Sequence, residues 1–240
     1  MKRLGFAAGL VLPVACLVLA GCLSTGRTAG AAAPAADDGW DLVFSDDFNR
    51  AELGGDWQVV DGNWTIENGS LAGSGAIVSS RGFPAGHPAG FLRLEFEAVT
   101  NVKPFILMPG GPPPVVSVSD MSSFIHAQPP ETAGPVWQTG YFFQFGGFMN
   151  TQNRIRRAGQ ELVADGSPKK LITPDKVHRV VVENDQGTLR LIVDGELLLE
   201  QADRASIAGE GYDRVGFYFY TAAKVNYVKV YTKRLPDDLI

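Results

Sequence analysis

Gly140-Tyr141-Phe142-Phe143-Gln144-Phe145-Gly146-Gly147-Phe148-Met149-Asn150-Thr151-Gln152-Asn153-Arg154-Ile155-Arg156-Arg157 runs an aromatic strand into a Gly-Gly turn and then into a cluster of amides and guanidiniums. Side chains alternate faces along a strand. Tyr141, Phe143 and Phe145 therefore point one way, and Phe142 and Gln144 the other. A core requires one such face. It does not require the polar groups beyond the turn, which makes them the first candidates for a binding site.

The segments on either side have the same character. Trp40–Phe48, Asp56–Val60, Trp64–Glu67, Ser70–Gly73 and Ala76–Ser79 read as short strands, broken by Asp61-Gly62-Asn63 and Asn68-Gly69 turns. In Phe91–Val99, Leu92, Leu94, Phe96 and Ala98 form an apolar face, while Arg93, Glu95 and Glu97 form a polar one. Val115–Ala127 resumes strand character after a Gly- and Pro-rich loop whose Pro112-Pro113-Pro114 cannot pair in a central strand. Val177–Asn184, Thr188–Val193 and Glu196–Gln201 are joined by Asp185-Gln186-Gly187 and Asp194-Gly195 turns. Asp213–Tyr220 and Lys224–Thr232 read as two closing strands, and Ala202–Gly211 as a place for a short helical turn. Val215, Phe217 and Phe219 share one side of their strand, with Tyr218 and Tyr220 on the other, which implies a central strand whose tyrosines line a groove and turn their hydroxyls to water or ligand. No long amphipathic helix and no internal repeat is present, which describes an antiparallel sheet protein. The Asn63-Trp64-Thr65 and Asn68-Gly69-Ser70 triplets read as turn chemistry.

The N-terminus has a different pattern. Lys2 and Arg3 precede an apolar run, Gly5 to Ala20, that is short for a membrane span. Leu19-Ala20-Gly21-Cys22 resembles the bacterial lipoprotein cleavage motif. That resemblance implies cleavage before Cys22 and lipidation of its thiol and new amino group, so that several acyl chains hold the protein on a membrane. Residues 1–21 are then a signal peptide, and Cys16 leaves with it. Residues 22–39, rich in Ala, Gly, Ser, Thr and Pro, form a flexible tether. The β domain spans 40–234, followed by a tail at 235–240. The expected location is the bacterial cell envelope, and Leu23 after the cysteine permits outer-membrane sorting.

Composition narrows the function classes. The net charge is −5 and no basic cluster of the kind nucleic acid requires is present, so no nucleic-acid partner is expected. The two cysteines, Cys16 and Cys22, both lie in the leader region, which excludes a disulfide or thiolate metal site from the domain.

The order of strands and turns from His178 to Tyr220, with Leu189-Arg190-Leu191-Ile192-Val193-Asp194-Gly195-Glu196 at its centre, is similar to the concanavalin A-like lectin and glucanase superfamily, laminin G-like modules included. Asp46-Asp47-Phe48, Trp57 and Trp64–Leu71 resemble the first strands of its bacterial members. Tyr141–Asn153 resembles the bacterial domain of unknown function 1961. The resemblance implies an all-β fold, a jelly-roll β-sandwich of two curved antiparallel sheets, with ligands on one sheet face or in its rim loops.

Each chemical candidate has a plainer alternative. Sugar hydrolysis needs two carboxyl groups about 5–9.5 Å apart, and Glu95 and Glu97 share a strand face about 6.6 Å apart. The resemblance implies Glu-x-Asp-x-x-Glu for family 16 glycoside hydrolases. Glu95-Phe96-Glu97-Ala98-Val99-Thr100 lacks the last carboxylate, so two solvated charges beside Arg93 is the preferred reading. His126 is the best general acid or base among His87, His126 and His178, each of which also reads as a hydrogen-bonded structural histidine. No cofactor is expected apart from a structural calcium, common in the fold the sequence resembles, for which Asp46, Asp47 and Asp213 are the candidate oxygen ligands. For sugar recognition, Gln144, Asn150, Asn153 and Arg154 supply planar polar groups, and Trp137, Tyr141 and Trp64 supply apolar platforms. Arg154, Arg156 and Arg157 suit a sulfate or carboxylate. The alternative is a polar hairpin turn satisfying its own backbone. The expected function is carbohydrate binding by a lipid-anchored domain. A hydrolase or lyase of the same fold, or a structural or protein-interaction module, stands as the alternative.

Overall fold

The structure, a computed structural model, describes residues 39–83, 90–100, 118–131 and 134–233. Cys22, His87, the tether and Pro112–Pro114 lie outside the described residues. Thirteen antiparallel strands are present among those described: β1 (Trp40–Asp46), β2 (Trp57–Val59), β3 (Asn63–Ile66), β4 (Leu71–Ser79), β5 (Phe91–Thr100), β6 (Met121–Ala127), β7 (Tyr141–Gly146), β8 (Gln152–Arg157), β9 (Gln160–Ala164), β10 (His178–Asp185), β11 (Thr188–Val193), β12 (Glu196–Ala202) and β13 (Arg214–Lys233). Their hydrogen-bonded order is β12-β11-β10-β5-β13-β6-β7-β8-β9, with β1 and β4 also on β13, and β2 and β3 on β4.

The twenty-residue β13 joins the two halves of this network. Its first part, Gly216 to Phe219, pairs with β4 and β6, and its last part, Val228 to Tyr231, pairs with β5 and β1. The register shifts between Phe219 and Ala223, where the strand passes from one sheet to the other. Asp213–Tyr220 and Lys224–Thr232, expected as two strands, are therefore one. The apolar alternation on each side is legible in the sequence, while the small, polar stretch at Thr221-Ala222 interrupts it. Ala202–Gly211 holds no helix.

The continuous network folds into two layers, a first sheet of β12, β11, β10 and β5 with the last part of β13 and a second of β4, β6, β7, β8 and β9 with its first part, and they pack on one shared core. Leu94, Phe96, Val182 and Leu191 from the first sheet meet Ile77, Phe143, Phe145, Phe217 and Phe219 from the second. Phe96 lies edge-on to Phe217 with ring centres 4.9 Å apart. Aromatic pairs of this kind add about 0.5–1.5 kcal/mol beyond the area they bury. Leu92, Leu94, Phe96 and Ala98 are fully buried, as their alternation requires. Tyr141, Phe143 and Phe145 face this core, and Phe142 faces outward into a second, smaller cluster with Val78, Phe124 and Val136.

The β7–β8 hairpin closes through an unusual turn. Gly146, Phe148, Met149 and Asn150 all have left-handed backbones, with φ of 70°, 51°, 56° and 60°. A Cβ on Gly146 would lie 2.5 Å from the Ile172 side chain, so glycine is required there on two grounds. For Phe148 and Met149 the left-handed conformation costs roughly 1–2 kcal/mol each.

Candidate functional site

The outward face of the second sheet carries the side chains that the core leaves over. Pairing registers set them in rows. Val78, Gly216, Phe124, Phe142, Arg156 and Glu161 lie side by side across β4, β13, β6, β7, β8 and β9. The next row runs Ala76, Tyr218, Ser122, then Gln144 and Arg154. Phe124 lies flat over Gly216, where any Cβ would meet its ring at 2.4 Å. Trp137 stacks on Tyr218 at 4.6 Å, and Phe142 meets the same tyrosine edge-on at 5.9 Å. The face is thus apolar on β4, β13 and β6 and cationic on β8.

At the end of these rows an open cavity of about 400 Å³ is lined by Ser119, Asp120, Gln144, Phe148, Met149, Arg154, Arg156 and Tyr220. Three of these are the large exposed apolar side chains Tyr220 (71% exposed), Met149 (70%) and Phe148 (55%). The cavity floor is polar. Gln144 donates its amide N–H to Asp120 Oδ1 at 2.6 Å, and the hydroxyls of Ser119 and Ser122 lie 3.2 and 3.4 Å from the same carboxyl. Burial pushes the Asp120 carboxyl up, while the bonds from Gln144, Ser119 and Ser122 and the charge of Arg154 oppose that rise without cancelling it. Gln144 Oε1 is buried without a partner, an arrangement that costs about 1–3 kcal/mol.

The two arginines are held differently. Arg154 gives Nε and Nη2 to Gln152 Oε1 at 3.0 and 2.9 Å, and Nη1 lies 3.3 Å from Glu161. Its guanidinium sits 3.7 Å from the centre of the Phe148 ring and props up that exposed aromatic. Arg156 donates Nη2 to the Gly159 carbonyl, and its Nε is buried without a partner.

Of the sequence candidates, the structure brings Gln144, Arg154 and Arg156 together in one cavity. Trp137 lies on the same face, against Tyr218. Four other candidates are corrected by their burial or bonding. Tyr141 is fully buried, donates to Asp203 at 2.7 Å and accepts the Ile207 N–H at 2.8 Å, and burial with Asp203 nearby pushes its hydroxyl up to about 12. It is a core anchor, not a platform. Asn153 is fully buried: Oδ1 accepts the Gly146 N–H at 3.0 Å, and Nδ2 donates to Asp165 at 2.7 Å and to the Lys170 carbonyl at 3.0 Å. Asn150 is bonded in both directions to the backbone of Ile172, at 2.8 and 2.9 Å. These two amides hold the hairpin turn against the 170–172 segment. Trp64 is in the core against Phe219.

The catalytic candidates lie elsewhere. Glu95 accepts from Arg179 and the Tyr227 hydroxyl, both at 2.9 Å, on the outward face of the first sheet, and Glu97 shares that face. His126 is fully buried, with its ring T-shaped to Tyr141. Burial pushes it down to about 4, and Nδ1, 3.1 Å from the Tyr212 carbonyl, must donate there. It is a neutral core histidine and meets no solvent proton. His178 is likewise buried, pushed down by desolvation, with Nδ1 toward Asp194 and Nε2 accepting the Thr173 N–H.

The calcium candidates are also engaged within the protein. Asp46 accepts from Arg50, Trp57 and the Phe48 N–H, Asp47 from the Asn49 N–H, and Asp213 pairs with Arg214. Among the described residues no three His, Cys, Asp or Glu side chains group as a metal site. Sequence reasoning missed Asp120, Ser119, Phe148 and Met149 as site residues, whereas Tyr220 was among the tyrosines expected to line a groove. Tyr220 carried a signal, since it sits on the non-core side of its strand. Asp120 stood in a segment read only as strand.

No family model matches the sequence, and no curated protein matches it. Solved structures do match in fold. The Emp47p carbohydrate recognition domain is similar with a TM-score of 0.55 at 13% identity, over 84% of this chain and 100% of that one. Bacillus licheniformis β-glucanase gives 0.52 at 16% identity, over 80% and 98%. A Bacillus subtilis protein of unknown function with a galectin-like fold gives 0.55 at 14% identity, over 80% and 97%. At such identities the likeness is one of architecture, and the architecture is the all-β concanavalin A-like jelly roll, a fold shared by carbohydrate-recognising and glycan-cleaving proteins.

Proposed function

We propose that this protein binds carbohydrate in the cavity between Asp120, Gln144, Arg156 and Tyr220. One observation carries the reading: a polar floor, the hydrogen-bonded pair Asp120 and Gln144, lies in an open cavity whose rim is two exposed aromatics and a methionine. A pyranose presents that complement, with an apolar ring face for an aromatic and hydroxyl donors for a carboxylate. The fold shared with the Emp47p carbohydrate recognition domain supports it as an analogy of architecture.

Binding is favoured over hydrolysis on chemical grounds. Two-carboxylate hydrolysis needs an acid and a second carboxyl across one bond. Among the described lining residues Asp120 is the single carboxylic acid, and Glu95 and Glu97 belong to the other sheet. The test is a glycan array on the full chain and on Tyr220→Ala and Gln144→Ala, with product analysis after long incubation. Saturable binding lost in both variants, without new reducing ends, supports the reading. Chain cleavage abolished by Asp120→Asn replaces it with an enzymatic one.

The cellular setting in this proposal comes from the leader. Lipidation at Cys22 would hold the domain at the envelope surface of a bacterium by residues 22–39. Mass spectrometry of the mature N-terminus tests this: a diacylated or triacylated Cys22 is the expected species, and release of Cys22→Ser from the membrane fraction is the expected consequence.

A further inference from the structure

We infer that the sugar accepted by this cavity carries an oxyanion, a carboxylate or a sulfate ester, and that Arg156 receives it. This rests on the carbohydrate reading and adds the class of glycan to it.

The cavity has two chemically different poles. At one, the Asp120 carboxyl and the Ser119 hydroxyl offer mainly acceptors. At the other stand two guanidiniums. Arg154 is already spoken for: all three of its nitrogens face Gln152 or Glu161, and its plane is covered by Phe148. Arg156 is not. Its register partner on β9 is Glu161, but that carboxylate goes to Arg154. Among the described residues no carboxylate forms an ion pair with Arg156, and only its Nη2 has a hydrogen bond among them, to a backbone carbonyl. A partly buried guanidinium without a counter-charge, in an open cavity, is a vacancy for an anion.

The alternatives for that charge are weaker. A neutral sugar would satisfy the Asp120 pole and leave Arg156 uncompensated. A cationic ligand would meet Arg154 and Arg156 against Asp120 alone. A sugar with hydroxyl donors on one side and a carboxylate or sulfate on the other matches both poles at once, with Tyr220 and Phe148 beside its ring.

The experiment is calorimetric titration of the full chain with three oligosaccharide series of matched length: neutral glucans, hexuronates and sulfated glycans. Wild type, Arg156→Gln, Arg156→Lys and Tyr220→Ala are compared at two salt concentrations, after thermal melts establish that each is folded. An acidic series bound at least about tenfold more tightly than the neutral one, with that preference lost in Arg156→Gln, is the expected result. Arg156→Lys tells the two anions apart: it abolishes a preference for the planar, fork-matched carboxylate and keeps part of one for sulfate. Equal affinity for neutral and acidic series, or a preference that survives Arg156→Gln, overturns the inference and leaves carbohydrate binding intact. Absence of binding to all three series overturns both.

Discussion

Gln144 holds Asp120 at 2.6 Å across the floor of the cavity, and both side chains are more than nine-tenths buried. On the proposed reading, the pair couples ligand binding to pH. Burial raises the carboxyl, and its hydrogen bonds and Arg154 only partly oppose that. Asp120 is therefore protonated at a higher pH in the folded chain than in the unfolded one. Its contribution to stability is full below the unfolded value of 3.8 and is lost as pH rises through the raised folded value. Binding has the opposite sign, because protonation removes an acceptor for sugar hydroxyls. Affinity is expected to fall on acidification through that window, and Asp120→Asn to flatten both profiles. Parallel profiles for wild type and Asp120→Asn, read by calorimetry and chemical denaturation, would remove Asp120 from the site.

Asn153→Ala and Tyr141→Phe are expected to act on stability. Asn153→Ala strands the Gly146 N–H, the Asp165 carboxylate and the Lys170 carbonyl together, a loss of roughly 2–4 kcal/mol. Tyr141→Phe leaves Asp203 and the Ile207 N–H short of a partner, at about 1–3 kcal/mol. Urea denaturation reads both. Glycan affinity of the folded fraction should match wild type for Tyr141→Phe, whose hydroxyl faces away from the cavity.

The contrast between these residues and Arg156 shows where the sequence was informative. Alternation placed Tyr141, Phe143 and Phe145 on one side and Phe142 and Gln144 on the other, and packing enforces that division. Composition cannot tell a ligand-facing amide from one that closes a turn. Asn150 and Asn153 look like Gln144 in sequence, but the left-handed run at 148–150 leaves backbone groups that the two asparagines satisfy. Asp120 was illegible for another reason. Its partner Gln144 is twenty-four residues away, brought close only by the pairing of β6 with β7.

The buried histidine sets the acid limit of the fold. His126 is neutral in the native state because burial holds it near 4, against an ordinary value of 6.5. The unfolded chain takes up a proton first, so stability falls as pH drops from 6.5 toward 4. The loss reaches about 3 kcal/mol at the lower end. His126→Gln keeps a donor for the Tyr212 carbonyl and removes the titration. It is expected to lower stability at neutral pH and to reduce the slope of stability against pH between 6.5 and 4. An unchanged slope would mean that another group, with His178 the first candidate, governs acid unfolding.

Met149 separates stability from binding in a single substitution. It is 70% exposed, lines the cavity and holds a left-handed φ of 56°. An L residue there costs roughly 1–2 kcal/mol, and glycine relieves that cost while losing about 0.5–1 kcal/mol to a freer unfolded chain. Met149→Gly should therefore be neutral to slightly more stable than wild type. It also deletes an apolar wall of the cavity, so glycan affinity should drop severalfold. Thermal melts and titrations on the same sample measure the two together. A gain in stability with unchanged affinity would make the strained turn a feature of the hairpin alone, whereas opposite changes mean that the turn carries its strain in order to present Phe148 and Met149 to a ligand.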